Sequence, residues 1–115
     1  MRNPELLKTI KELKTAAKRT GKPIWAALAE ELEGSKRNRA AVNLSTIERN
    51  TREGEIVAVP GKVLASGSLT HPVTVAAFDF SGLARQKILS SKGEVKSLTQ
   101  LLTEGVDASK VKILK

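Results

Sequence analysis

Few residues in this chain are of a type and spacing that could make or break bonds. The single histidine, His71, stands before Pro72 in a polar turn, where a solvated side chain is expected rather than a general base or a metal ligand. With one histidine and no cysteine, neither a structural zinc site nor a disulfide can be built. Asp79 lies between Phe78 and Phe80 at the end of an apolar run, where catalytic carboxylates often stand; its expected role is to cap the Ser81-Gly82 turn. Gly61-Lys62 invites a phosphate-loop reading that fails on spacing. Such a loop needs about four residues between its glycines and a Ser or Thr after the lysine, and here Val63 follows. No catalytic set assembles, so no enzymatic activity, cofactor or small-molecule substrate is expected.

What the chain has in quantity is positive charge. Of 115 residues, twenty are Lys or Arg and twelve are Asp or Glu, a formal charge of +8. An excess of this size on a small surface attracts polyanions. A thermophile-style surface would match lysine with glutamate in networks, and here the acids fall eight short. Only Trp25, Phe78 and Phe80 are aromatic, and neither the aromatic strand signature of an RRM nor the Gly-x-x-Gly clamp of a KH domain occurs. Stacking on bases cannot then be the main source of affinity. What remains is neutralisation of phosphates by Lys and Arg, a mode suited to folded RNA read by shape. A free-standing nucleic-acid-binding protein or RNA chaperone is the alternative. An enzyme acting on an anionic substrate would need Asp79 or His71 to line a pocket. No apolar run approaches the roughly 18 residues of a spanning helix, and the polar, basic start lacks a signal peptide's apolar stretch. A cytoplasmic protein with no membrane partner is expected.

The charge is not spread evenly. Residues 1–22 carry seven basic and two acidic side chains, and 34–52 carry five and one. Residues 23–33 hold three acids and no base, while 56–115 hold eight bases and four acids. The basic character therefore concentrates in the first helix and in a following arm. A first amphipathic helix is expected over residues 4–19, with Asn3 as N-cap, Pro4 at its first position and Gly21 ending it. Leu6, Ile10, Leu13 and Ala17 define its buried face. Lys11, Lys14 and Lys18 share the same spacing along one flank, with Arg19 and Lys22 beyond them.

A second helix is expected from Pro23 to Glu33, burying Ile24, Leu28 and Leu32 beside Trp25. Its acids crowd the C-terminal end, where the helix dipole disfavours them, and Lys36, Arg37 and Arg39 follow to relieve them. Residues 34–55 read as that basic arm and a short helix, with Arg49 and Arg52 near its end. Beyond it, strands at 56–59 and 62–64 are expected to flank a type II turn at Pro60-Gly61. A strand at 73–80, helices at 82–89 and 98–103 and a last strand at 111–114 complete a single α/β domain spanning 1–115. Its N-terminal helices and basic arm (1–33, then 34–55) precede a small irregular α/β layer (56–115).

Several strings carry a further signal. Arg37-Asn38-Arg39-Ala40-Ala41-Val42-Asn43-Leu44, Ile47-Glu48-Arg49, Val59-Pro60-Gly61-Lys62-Val63-Leu64 and Val73-Thr74-Val75-Ala76-Ala77-Phe78-Asp79-Phe80-Ser81 resemble the archaeal and eukaryotic ribosomal protein L-eighteen-e family, related to bacterial L-fifteen. The likeness runs in order along essentially the whole chain. It implies a large-subunit ribosomal protein that binds large-subunit rRNA beside neighbouring ribosomal proteins, without catalytic activity. By position, Lys36, Arg37 and Arg39 match the family's basic arm, and Lys62 its Pro-Gly-Lys turn. Eukaryotic members are longer, so the end at Lys115 points to an archaeal-type member. The expected RNA-binding set is Lys11, Lys14, Lys18, Arg19 and Lys22 on one side, with Lys36, Arg37, Arg39, Arg49 and Arg52 on the other and Lys62 in addition.

Overall fold

The computed structural model describes residues 4–34 and 40–115. Helix α1 (Pro4–Thr20) and helix α2 (Pro23–Glu33) lead into strand β1 (Ala40–Asn43), helix α3 (Leu44–Asn50), strand β2 (Ile56–Leu64) and strand β3 (Thr74–Phe80). Helix α4 (Gly82–Ser90), strand β4 (Glu94–Ser97), helix α5 (Leu98–Thr103), a 3-10 turn (Ala108–Lys110) and strand β5 (Val111–Ile113) follow. The expected α/β class holds. Asn3, the expected cap of α1, and Lys36, Arg37 and Arg39 lie outside the described residues.

All strand pairings are parallel, in the order β1-β2-β3-β4, with β5 also on β2. β2 pairs with β3 along one edge. Its other edge is shared: β5 takes Ile56 to Ala58, and β1 takes Gly61 to Leu64. This overturns two expectations. The segment entering α3 is partly an edge strand rather than an arm throughout, and Pro60-Gly61 is no turn. The chain runs straight through both as one strand. Proline is tolerated inside a strand only where no ladder needs its missing N–H. Pro60 falls between the β5 and β1 pairings on one edge, and on the other within the register shift between Val59 and Lys62. Val59 pairs with Ala77 and Lys62 with Asp79, so β2 holds one residue more than β3 across this bulge.

Parallel sheets are buried on both faces, and alternate residues here serve two cores. Ala58 and Ala76 face a cluster with Leu13, Trp25, Leu28, Leu32 and Leu101, while Val57, Val59 and Val75 face Leu44, Ile47 and Ile88. Helix α2 and helix α5 cover the first face, and α1 packs on those two helices. Its buried residues are Leu6, Ile10, Leu13 and Ala16. Ala17, expected as the last residue of the buried face, is half-buried because α1 is turned toward the groove with α5, which Ala16 lines. The acids ending α2 find their bases elsewhere than expected: Lys14 Nζ lies 2.8 Å from Glu33 and Lys115 Nζ 2.5 Å from Glu31.

The β2–β3 connection has no helix and crosses the second face as an irregular loop, burying Leu69. It is pinned at several points. Lys87 Nζ donates to the carbonyls of Ala65 and Gly67, both at 2.9 Å, and the Ser45 N–H donates to the Ser66 carbonyl. Further along, the Thr70 N–H and hydroxyl both donate to Glu48. His71 is held at both ring nitrogens, Nδ1 by Glu48 at 2.7 Å and Nε2 by the Thr51 hydroxyl at 2.9 Å. The expectation of a solvated histidine is therefore wrong: the crossover presses its side chain against α3. Thr51 donates its own proton to the Ile47 carbonyl at 2.6 Å, so the trio is a brace and not an activated hydroxyl. Asp79 likewise accepts from the Phe80 N–H, and the cap of α4 is Ser81.

Two measurements test this frame. Gly67 has φ +91, and an added Cβ would stand 2.6 Å from Ser45 Cβ, whereas Gly105 has φ +67 with open space around it. Gly105→Ala should cost about 1–2 kcal/mol from left-handed backbone alone, and Gly67→Ala distinctly more, by urea denaturation. Equal losses would mean the Ser45 contact is not tight. The Thr70 hydroxyl above all, then the Thr70 N–H and His71, hold the Glu48 carboxyl below its ordinary value. A lowered carboxyl contributes stability above its unfolded-state pKa and loses it as pH falls through the folded value. Thermal stability should therefore decline below about pH 4.5, and Glu48→Gln should flatten that acid limb relative to the parent.

Candidate nucleic-acid interface

The outer surface of α1 carries two cationic rows rather than one. In the expected row, Lys14 is spent on Glu33, while Lys11 and Lys18 are exposed without an ion pair among the described residues. The second row runs Lys8, Lys11, Thr15, Arg19. It lines an open groove of about 640 Å³ between α1 and α5, with Leu102 and Thr103 as the far wall. From residue 8 to 19 the helix rises roughly 16 Å. Lys8 extends the row from Lys11 at a three-residue step, a signal carried by the sequence and passed over for the row beginning at Lys11.

Past the end of α1, Lys22 enters α2 within electrostatic reach of Asp107. The Asp107 carboxyl is held below its ordinary value, chiefly by the Ser109 N–H and hydroxyl, with Lys110 and Lys22 adding to it. Lys22 and Lys110 thus flank one acid. Lys110 shares a cleft with Lys112, Gly54 and Glu55. Lys112 in turn joins Arg49 and Arg52 around a cleft of about 430 Å³ at the starting edge of the sheet. Lys112 Nζ donates to the Asn50 carbonyl at 2.7 Å and lies 3.6 Å from Glu55. The Glu55 carboxyl is lowered first by the Arg52 N–H and then by Lys112. Shared neighbours link Lys22, Lys110, Lys112, Arg49 and Arg52, and Lys22 follows the groove row of Lys8, Lys11 and Arg19 three residues along the chain, so the eight cations form one belt.

The belt brings together five of the expected residues: Lys11, Arg19, Lys22, Arg49 and Arg52. Lys18 stands on the neighbouring flank of α1. Lys62 does not belong to the belt; it lies past the bulge in β2, 3.9 Å from Asp79, and both side chains are at least half exposed. Lys110 and Lys112 were missed because they sit singly among apolar residues in a stretch of mixed charge. Their alternation about Val111 was the available signal. Lys96 is also consumed, by Glu94 and Glu104, and both raise its pKa. Among the described residues no cluster of three metal-ligating side chains occurs, and no helix is long and apolar enough to cross a membrane.

This is a three-layer parallel α/β protein with exposed cations along one outer helix and at one sheet edge. The chain belongs to the family described as ribosomal protein 60S L18 and 50S L18e, whose model matches residues 2–115. It is similar to the large ribosomal subunit protein eL18 of Haloarcula marismortui, 47% identical over 98% of this chain and 97% of the relative. The eL18 proteins of Methanothermobacter thermautotrophicus (45% identical, 97% and 93% covered) and Sulfolobus acidocaldarius (46%, 83% and 80%) are also similar.

The pairing difference along α1 is measurable without RNA. Lys14→Ala should cost up to about 0.5 kcal/mol by losing an exposed pair, while Lys11→Ala should leave denaturation midpoints unchanged. A reversed order would contradict the division of α1 into spent and free lysines.

Proposed function

We propose that the chain is a structural, non-catalytic component of the large ribosomal subunit in the cytoplasm, and that it binds folded large-subunit rRNA by phosphate contacts along the belt. The observation that carries this reading is the belt itself. Eight cations from three stretches of the chain (8–22, 49–52 and 110–112) lie along it, and Lys8, Lys11, Arg19 and Arg49 make no ion pair among the described residues. Membership of a ribosomal family supplies the partner class, with neighbouring ribosomal proteins alongside. Lys18, Lys36, Arg37 and Arg39 would add contacts, on charge and family position. Lys62 would be a peripheral contact.

Phosphate neutralisation releases counterions, so affinity must fall with salt. With about eight phosphates engaged, affinity for a large-subunit rRNA transcript should drop three to five decades between about 50 and 200 mM salt. Lys8→Ala with Lys11→Ala and Arg19→Ala should lower the salt slope by about three while Tm stays near the parent's. A flat salt response, or a slope unchanged in the triple variant, would remove the belt as the interface. A free-standing RNA chaperone would show the same slope but no preference for large-subunit rRNA over an unrelated structured RNA.

A further inference from the structure

Not every group in the α1–α5 groove is cationic. Glu12 points into the same space as Lys8, Lys11 and Arg19, half-buried, and makes no hydrogen bond or ion pair among the described residues. It stands apart in this. Glu31, Glu33, Glu48, Glu55, Glu94 and Glu104 each have a partner. Glu30 and Glu53, also without a partner among the described residues, are exposed. Glu12 and Lys8 also line a second, smaller pocket of about 280 Å³, over the carboxyl ends of β3 and β4, walled by Glu5, Thr9, Phe78 and Thr99. That is where α4 and α5 leave adjacent strands for opposite faces of the sheet, the place where parallel α/β folds leave a crevice.

A half-buried acid in the path of a polyanion repels phosphate and leaves its own acceptors unfilled. Both costs are offset if the ligand brings hydrogen-bond donors. Unpaired nucleobases do so: adenine, cytosine and guanine present exocyclic amino groups on their Watson–Crick edges, whereas uracil presents no amino group and only its N3–H. We infer that Glu12 reads an unpaired, amino-bearing base seated in the smaller pocket against Phe78, while Lys8 and Lys11 hold the adjoining phosphates. This rests on the RNA-binding reading above and adds a base-specific contact to it, since phosphate contacts position but do not specify.

The sign of one substitution decides the matter. Fluorescence anisotropy would compare the full chain and Glu12→Ala on a large-subunit rRNA transcript and on oligo(C), oligo(A) and oligo(U) of equal length. The parent should bind oligo(C) and oligo(A) about three- to tenfold more tightly than oligo(U). Glu12→Ala should erase that preference, binding oligo(C) and the transcript less tightly and oligo(U) more tightly, with an unchanged thermal melt. If Glu12 only repels phosphate, the variant will tighten on every RNA alike, which overturns the inference and leaves RNA binding intact. Equal weakening on all three oligomers would put the carboxylate on the sugar and also overturn it. A parent that fails to bind the rRNA transcript sinks the RNA reading first, and this inference with it.

Discussion

A parallel sheet must be covered on both faces, and in a chain of 115 residues that requirement disposes of nearly every apolar side chain. β2 and β3 show how far it reaches. Val57, Val59 and Val75 bury toward α3 and α4, while Ala58 and Ala76 bury toward α2 and α5. The small residues on the face under α2 and α5 let those helices lie close, and α1 is left to pack on helices rather than on strands. A helix in that outermost position keeps a broad solvent face. Charge excluded from both interior faces goes to the outer surfaces of the helices and to the sheet's edges. Most lysines and arginines without an ion pair among the described residues lie on α1 and at one sheet edge, with Arg85 on α4 and Lys92 just after it among the exceptions.

The acids divide the cations into two kinds. Glu33 holds Lys14, Glu31 holds Lys115, and Glu94 with Glu104 holds Lys96. These pairs tie the C-terminal end of α2 and the β4–α5 corner to their surroundings. Lys87 needs no acid, because two loop carbonyls satisfy it. The lysines left over are those with nothing inside the protein to hold them. Net charge alone could not have separated the two kinds; the pairing distances do.

Much of the frame was legible in the residues. α2 and α5 fall at their expected bounds, because a proline at the first position and a Ser-x-x-Gln capping box are local signals. Pro60-Gly61 misled because its meaning is not local: a proline in a central strand is permitted only by two neighbours that change over beside it and a bulge opposite. β4 went unseen because Glu94 to Ser97 offers no clean alternation. His71 was misread for the same reason as Pro60, since Glu48 and Thr51 come from a helix some twenty residues earlier. Among the site residues, regular spacing named Lys11, Lys14 and Lys18 alike, and only the packing of α1 on α2 shows that Lys14 is paired with Glu33.

Lysine reactivity tests the central claim most directly, that one folded surface and not the total charge meets RNA. The full chain would be acetylated with and without large-subunit rRNA and each lysine read by mass spectrometry. The account predicts protection of Lys8, Lys11, Lys22 and Lys110, with Lys62 and Lys14 little changed. Uniform protection of all lysines, or protection centred on Lys62, would contradict it.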